Sequence, residues 1–220
     1  MIISRLDALL IGTPQVFHPT RGMSSMARRP AIGPVAVGPL GCAGDAVADP
    51  SVHGGPDKAV HFYPAEHYAA WAAELGDQPH LTGPGGFGEN LSALDLTEDR
   101  VHIGDRFRIG TALVEVAQGR QPCWKLDHHF GRTTMAADVI RTGRGGFYFR
   151  VVEDGVIAAG DAIEQVERGP AEWTVARVFH LLIGGGHKSA AGQAALADLA
   201  ALEVMAAGWR QRAARLRLAR

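Results

Sequence analysis

The chain is predicted to be mainly β, folded as a barrel or sandwich with a few helices over residues 1–168, and followed by a small helical module over residues 169–220. Three observations predict this. Between Val101 and Arg168, apolar residues alternate with polar or small ones at the period of a half-buried sheet. Turn residues separate those runs at the short spacing of antiparallel strands. At Gly169-Pro170 the alternation gives way to helical spacing. A length of 220 residues suits one well-buried core with an appendage.

Taken in order, the first regular element is a helix opened by Pro64. Glu66 complements its dipole, Tyr68, Trp71 and Leu75 share a face, and Gly76 stops it. Gly83-Pro84-Gly85-Gly86-Phe87-Gly88 is too rich in glycine for regular structure and is read as a loop at the rim of the sheet. The strand pairs follow at Val101 and Ile103, Phe107 and Ile109, and Val114 and Val116. Asp154-Gly155 is read as a hairpin turn between Val151-Val152 and Val156-Ile157. Beyond Arg168 the spacing predicts helices over 174–183 and 190–208, broken by Gly184-Gly185-Gly186, and then a basic segment carrying Arg210, Arg212, Arg215, Arg217 and Arg220. Leu196, Leu199, Leu202, Met205 and Trp209 form a stripe that needs a partner surface, so a homodimer is expected. The terminal arginines are read as a solvated helix end.

With 22 basic and 23 acidic residues the charges nearly cancel, so no global field draws the chain onto nucleic acid or an anionic membrane. Arg5 and Asp7 interrupt the apolar opening before a signal-peptide core forms, and no run reaches a membrane-spanning length. The only two cysteines, Cys42 and Cys123, are far apart, which favours free thiols in a reducing, cytoplasmic setting.

Cys123 is the first candidate for chemistry. It sits just past a strand, behind Pro122, with Arg120 and Lys125 close in sequence. Cations favour a thiolate, the form that attacks or binds metal, whereas a buried cysteine is more often a small apolar filler; the local sequence leaves both open. His53-Gly-Gly-Pro-Asp-Lys58 can expose backbone N–H groups to an anion with Lys58 as a point charge, or form a tight surface turn. Glu89 and Asn90 follow the glycine loop and can bind a heteroaromatic ring or cap the next turn. Arg144, among glycines and aromatics, can clamp a phosphate. Cys123 with His128 and His129 fits no common zinc spacing. No phosphate-binding loop, dinucleotide fingerprint or nucleophile elbow is found.

In combination, His53-Gly-Gly-Pro-Asp-Lys58, Tyr63-Pro-Ala-Glu-His-Tyr68, Gly86-Phe-Gly-Glu-Asn-Leu91, Val101-His-Ile-Gly-Asp105 and Pro122-Cys-Trp-Lys-Leu126 closely resemble the YiiM-type MOSC-domain family. The name comes from the C-terminal domain of molybdenum-cofactor sulfurases, and the resemblance runs from about Ile11 to Arg168. The helical remainder resembles the three-helix extension of this subgroup. The resemblance implies a β-barrel holding molybdenum cofactor, with Cys123 as the sulfur ligand to the metal. It implies reduction of N-hydroxylated compounds such as base hydroxylamines, with electrons from a redox partner. Arg28, Lys58, Arg120, Lys125 and Arg144 would then neutralise phosphate or tune the thiolate, and His53, Glu89 and Asn90 would touch pterin or substrate. The chain departs from the family at Gly119, where members commonly carry proline, which is expected to loosen the backbone before Arg120. The rival reading is a sulfur carrier that holds a persulfide on Cys123. Pyridoxal phosphate is associated with the family only through the sulfurase's other domain and is not expected here. A third reading is a non-catalytic anion-binding module.

Overall fold

In the computed structural model, residues 1–20 and 22–219 are described. The strands of the first third are β1 (Ile2–Arg5), β2 (Ala8–Ile11), β3 (Gln15–His18), β4 (Gly22–Ser24), β5 (Arg29–Pro30), β6 (Val35–Gly38) and β7 (Gly41–Cys42). A one-turn helix α1 (Pro50–His53) and strand β8 (Val60–Pro64) lead to α2 (Glu66–Leu75) and β9 (Leu91–Ala93). Then come β10 (Arg106–Ile109), β11 (Ala112–Gly119), α3 (Trp124–His129), α4 (Met135–Thr142), β12 (Phe147–Glu153), β13 (Gly155–Ile157) and β14 (Ala162–Glu167). Helices α5 (Val175–Leu182), α6 (Ala190–Ala201) and α7 (Ala207–Leu218) end the chain.

One nine-stranded sheet, ordered β1-β14-β10-β11-β12-β8-β9-β2-β5, forms the frame, and only its β8–β9 pair is parallel. The mainly β expectation holds, but the barrel does not close: β1 and β5 remain separate edges among the described residues. A second sheet, β13-β6-β7, takes the place of a closing wall. It lays Val35, Val37, Cys42 and Ile157 onto the core of the large sheet, joining the layers by apolar packing instead of ladder hydrogen bonds. Phe62, Phe147 and Phe149 interlock in that core, each contributing about 2–3 kcal/mol by burial.

Several local expectations need correction. Val156-Ile157 does not return along β12; β13 pairs with β6, because Gly155 lies against the backbone of Thr111 and Ala112, closer than any Cβ would allow. Pro64 is the last residue of β8, paired with Ala93, and α2 begins at Glu66. The segment read as strands also contains α3 and α4. The 190–208 helix is two helices, since the Ala206 N–H donates to Ala117 O on β11 (2.9 Å) and pins the chain between them. Arg210, Arg212, Arg215 and Arg217 lie on α7, whereas Arg220 falls outside the described residues.

The C-terminal helices share one core with the sheet. Val175, Phe179, Leu196, Leu199, Met205 and Trp209 are all buried in it, so the apolar stripe is covered within the chain. Gly119 lies at that seam: a Cβ there would meet Trp209 at 3.0 Å and Phe179 and Val175 at 3.4 Å. It is paired with Phe147 as the last residue of β11, so this glycine is a place of close packing and not a loose link. No helix is long and apolar enough to cross a membrane among the described residues.

Candidate functional site

Strand β8 explains where the site lies. Its side chains alternate, Val60 and Phe62 entering the main core while His61 and Tyr63 face the other way. Tyr148 on β12 stands directly across from His61, with ring centroids 5.0 Å apart, because Phe147 and Phe149 take the core face of that strand. These two rings floor a narrow cleft of about 70 Å³. Its walls come from the β4–β5 segment, the Asp45–Lys58 segment, the Gly88–Asn90 turn and the stretch from β11 into α3.

Cys123 is the N-cap of α3, held in an extended conformation, and its carbonyl accepts the Leu126 N–H (3.0 Å). Pro122 is buried while Cys123 is half-buried on the cleft. Arg120, one turn of backbone earlier, is only 7% exposed. Its N–H donates to Gly146 O (2.9 Å), but its side-chain Nη1 is buried without a hydrogen-bond partner. Ser25 Oγ, also on the cleft, is buried and unpaired. Two polar groups left in this state cost folding energy unless something in the cleft meets them.

Arg28 behaves differently. Its Nε and Nη2 donate to Asp45 Oδ1 (2.8 Å) and Oδ2 (2.7 Å), and Nη1 donates to Gly88 O. Asn90 joins the same network: Nδ2 donates to Asp45 Oδ2 (3.0 Å) and Leu10 O (3.2 Å), and Oδ1 accepts the His61 N–H (3.0 Å). Arg28 and Asn90 thus line the cleft as a fixed, charge-balanced wall.

His53, Lys58 and Lys125 complete the opposite, cationic wall. Lys58 Nζ donates to Val52 O. Burial first, then the charges of Lys125, Lys58 and Arg120, push the His53 imidazole down to about 4, so it is neutral at pH 7. Burial and Arg120 likewise push His61 down to about 3, although its ring nitrogens lie 3.2 Å from Gly88 O and 3.4 Å from Gly145 O. Burial raises the Tyr148 phenol, with Arg120 and Arg28 opposing it.

Of the residues singled out from the sequence, the cleft gathers Cys123, Arg28, His53, Lys58, Asn90, Arg120 and Lys125. It does not gather Glu89 or Arg144. The fully buried Glu89 carboxylate accepts the N–H groups of Gly85 (2.6 Å) and Phe87 (3.1 Å) and the Tyr68 hydroxyl, holding the glycine loop in shape. Arg144 pairs with Glu74 (2.6 Å) and lies over the Trp71 ring at 5.0 Å. His61, Tyr148, Asp45 and Ser25 escaped the sequence reading. For the first two the signal was present, as single polar-tipped rings inside apolar strands.

The site's segments fall largely within the region, residues 49–164, that matches the model of the MOSC domain. Over 151 residues the chain is 41% identical to the protein YiiM of Escherichia coli K12, covering 69% of this chain and 67% of that one. It is 39% identical over 151 residues to a protein of Gibberella moniliformis named "Reductase", covering 68% of this chain but 27% of that one. The crystal structure of YiiM from Geobacillus stearothermophilus superimposes with a TM-score of 0.81 at 32% identity, over 97% of this chain and 99% of that chain. Sequence and fold agree, and the chain belongs to the MOSC domain family.

Proposed function

We propose that the protein is a molybdenum-cofactor-dependent oxidoreductase that reduces N-hydroxylated compounds, with Cys123 as the protein's sulfur ligand to the metal. Membership of the MOSC domain family and a relative named as a reductase support an oxidoreductase role tied to that cofactor. The observation that carries the reading is the pairing, in one cleft, of a half-buried thiol with a buried guanidinium whose Nη1 lacks a partner. A soft sulfur donor suits molybdenum, and unpaired Arg120 Nη1 and Ser25 Oγ suit the phosphate of a pterin cofactor. Among the described residues no three His, Cys, Asp or Glu side chains gather around a common point.

When bound, the cofactor supplies the two electrons that, with two protons, convert an N-hydroxyl group to N–H and water; a redox partner restores them. The chain's own contribution is positional and electrostatic. Arg120, Lys58 and Lys125 hold the anionic part of the cofactor. His53, neutral at pH 7, offers a hydrogen bond without adding charge. The Arg28–Asp45–Asn90 wall keeps His61 and the Gly88 turn in place, so little reorganises as the charge of the reacting group changes.

The test is metal analysis of the purified protein and of Cys123→Ser. Stoichiometric molybdenum that disappears in the variant, together with loss of base-hydroxylamine reduction, is the expected result. Metal-free protein carrying a labile persulfide on Cys123 would overturn it in favour of a sulfur carrier.

A further inference from the structure

Cys123 borders a second cleft, of about 510 Å³, which Arg28 does not line. The two clefts share Cys123, His53, Lys58, Gln121 and Tyr148, so the thiol stands at their junction. The far wall of the second cleft is α7, which turns Gly208, Arg212 and Arg215 toward it at positions i, i+4 and i+7. The helix is fixed in that attitude. The Ala207 N–H donates to Asp57 Oδ2 (3.3 Å), Arg212 Nε donates to Leu182 O (2.8 Å), and Trp209 is buried against Gly119.

The charge of this cleft is one-sided. Its cations are Lys58, Arg212 and Arg215. Its only carboxylate, Asp57, is already matched by Arg150 at 2.8 Å. The terminal nitrogens of Arg212 lie beyond its one hydrogen bond, and the exposed Arg215 side chain has no partner among the described residues. Two guanidinium groups on one helix flank match a dianion, and guanidinium forks match the oxygens of phosphate. The room is enough for a ligand the size of a nucleotide. The first turn of α7 borders the cleft at Gly208 and Trp209, while the cationic stripe of Arg212 and Arg215 lies farther along the helix flank.

We infer that this second cleft is a subsite for a phosphate ester on the substrate, so that the N-hydroxylated compound is reduced as a nucleotide in preference to a free base. This rests on the reductase reading for the chemistry at Cys123, but the subsite itself is tested by binding alone. With AMP and adenosine as probes, titration calorimetry on the full-length protein should show AMP binding at least about tenfold more tightly than adenosine. Arg215→Glu, at an exposed position that leaves the core untouched, should lower that AMP-to-adenosine preference by about tenfold while molybdenum content stays at the wild-type level. Arg212→Ala should lower it as well, with folding checked by thermal melt because its bond to Leu182 O is lost.

Equal affinity for AMP and adenosine, or a preference unmoved by Arg215→Glu, would overturn the subsite. So would loss of molybdenum in Arg215→Glu, which would give the cleft to the cofactor's phosphate. A preference for AMP that falls in Arg215→Glu, in a protein that reduces no N-hydroxylated compound, would uphold the subsite and overturn the reductase reading instead.

Discussion

Arg28 and Arg120 line the same cleft, and the contrast between them separates structure from readiness to bind. Arg28 is matched atom for atom by Asp45 and Gly88, so its charge is cancelled within the protein. Arg120 is as deeply buried but has an Nη1 with no partner, and Ser25 beside the cleft is in the same condition. A wall that is complete without ligand holds shape; a wall that is incomplete marks where a ligand belongs.

The largest effect that should break this contrast is Asp45→Ala. It leaves Arg28 buried and uncompensated and removes the acceptor used by Asn90, so unfolding free energy should fall by about 3–5 kcal/mol in a denaturant titration. A smaller effect concerns pH. His53 and His61 have folded-state pKa values near 4 and 3 against 6.5 when free. Between those values the unfolded chain binds protons that the folded chain refuses, so stability is complete above about pH 6.5 and is lost as pH falls toward 4 and below. His61→Gln should flatten part of that slope, read as the denaturant midpoint against pH.

Smaller still should be Arg144→Ala. It removes an ion pair at a partly exposed site and a cation–π contact, should cost about 1 kcal/mol, and should leave molybdenum content unchanged. The smallest change in stability is expected for Arg120→Met, which keeps a buried stem and removes the unpaired Nη1 together with the guanidinium's one side-chain contact to Tyr148. Its midpoint should stay within about 1 kcal/mol of wild type while molybdenum content falls sharply. A large loss of stability in that variant would erase the distinction between the two walls.

Much of the frame was legible in the residues. Alternation along 107–116 reports β10 and β11, and the glycine run at 83–88 is the loop it was read as, whereas Val101 and Ile103 lie in no strand and His102 makes only a single bridge to Thr174. What escaped was decided by distant partners. The break between α6 and α7 carries no proline or glycine; it follows from one hydrogen bond to β11. The early strands β1 to β7 are two to four residues long, too short for periodicity to register. At the site, side-chain chemistry was legible for Cys123, Lys58 and Lys125. Whether a given cation is already matched was not, because Asp45 meets Arg28 across seventeen residues of chain. Glu89 and Arg144 sat in suggestive motifs, yet each has a local task, one clamping a loop and the other lying on Trp71.

The contact of Trp209 with Gly119 has a mechanical meaning. Gly119 adjoins Arg120, so the C-terminal helix presses on the residue next to the guanidinium whose Nη1 lacks a partner. A shift in α7 would be transmitted through one peptide unit to the Arg120 side of the cleft. The helices therefore act as a keystone for the pocket, and a bulkier residue at position 119 would demand a compensating smaller one at 209.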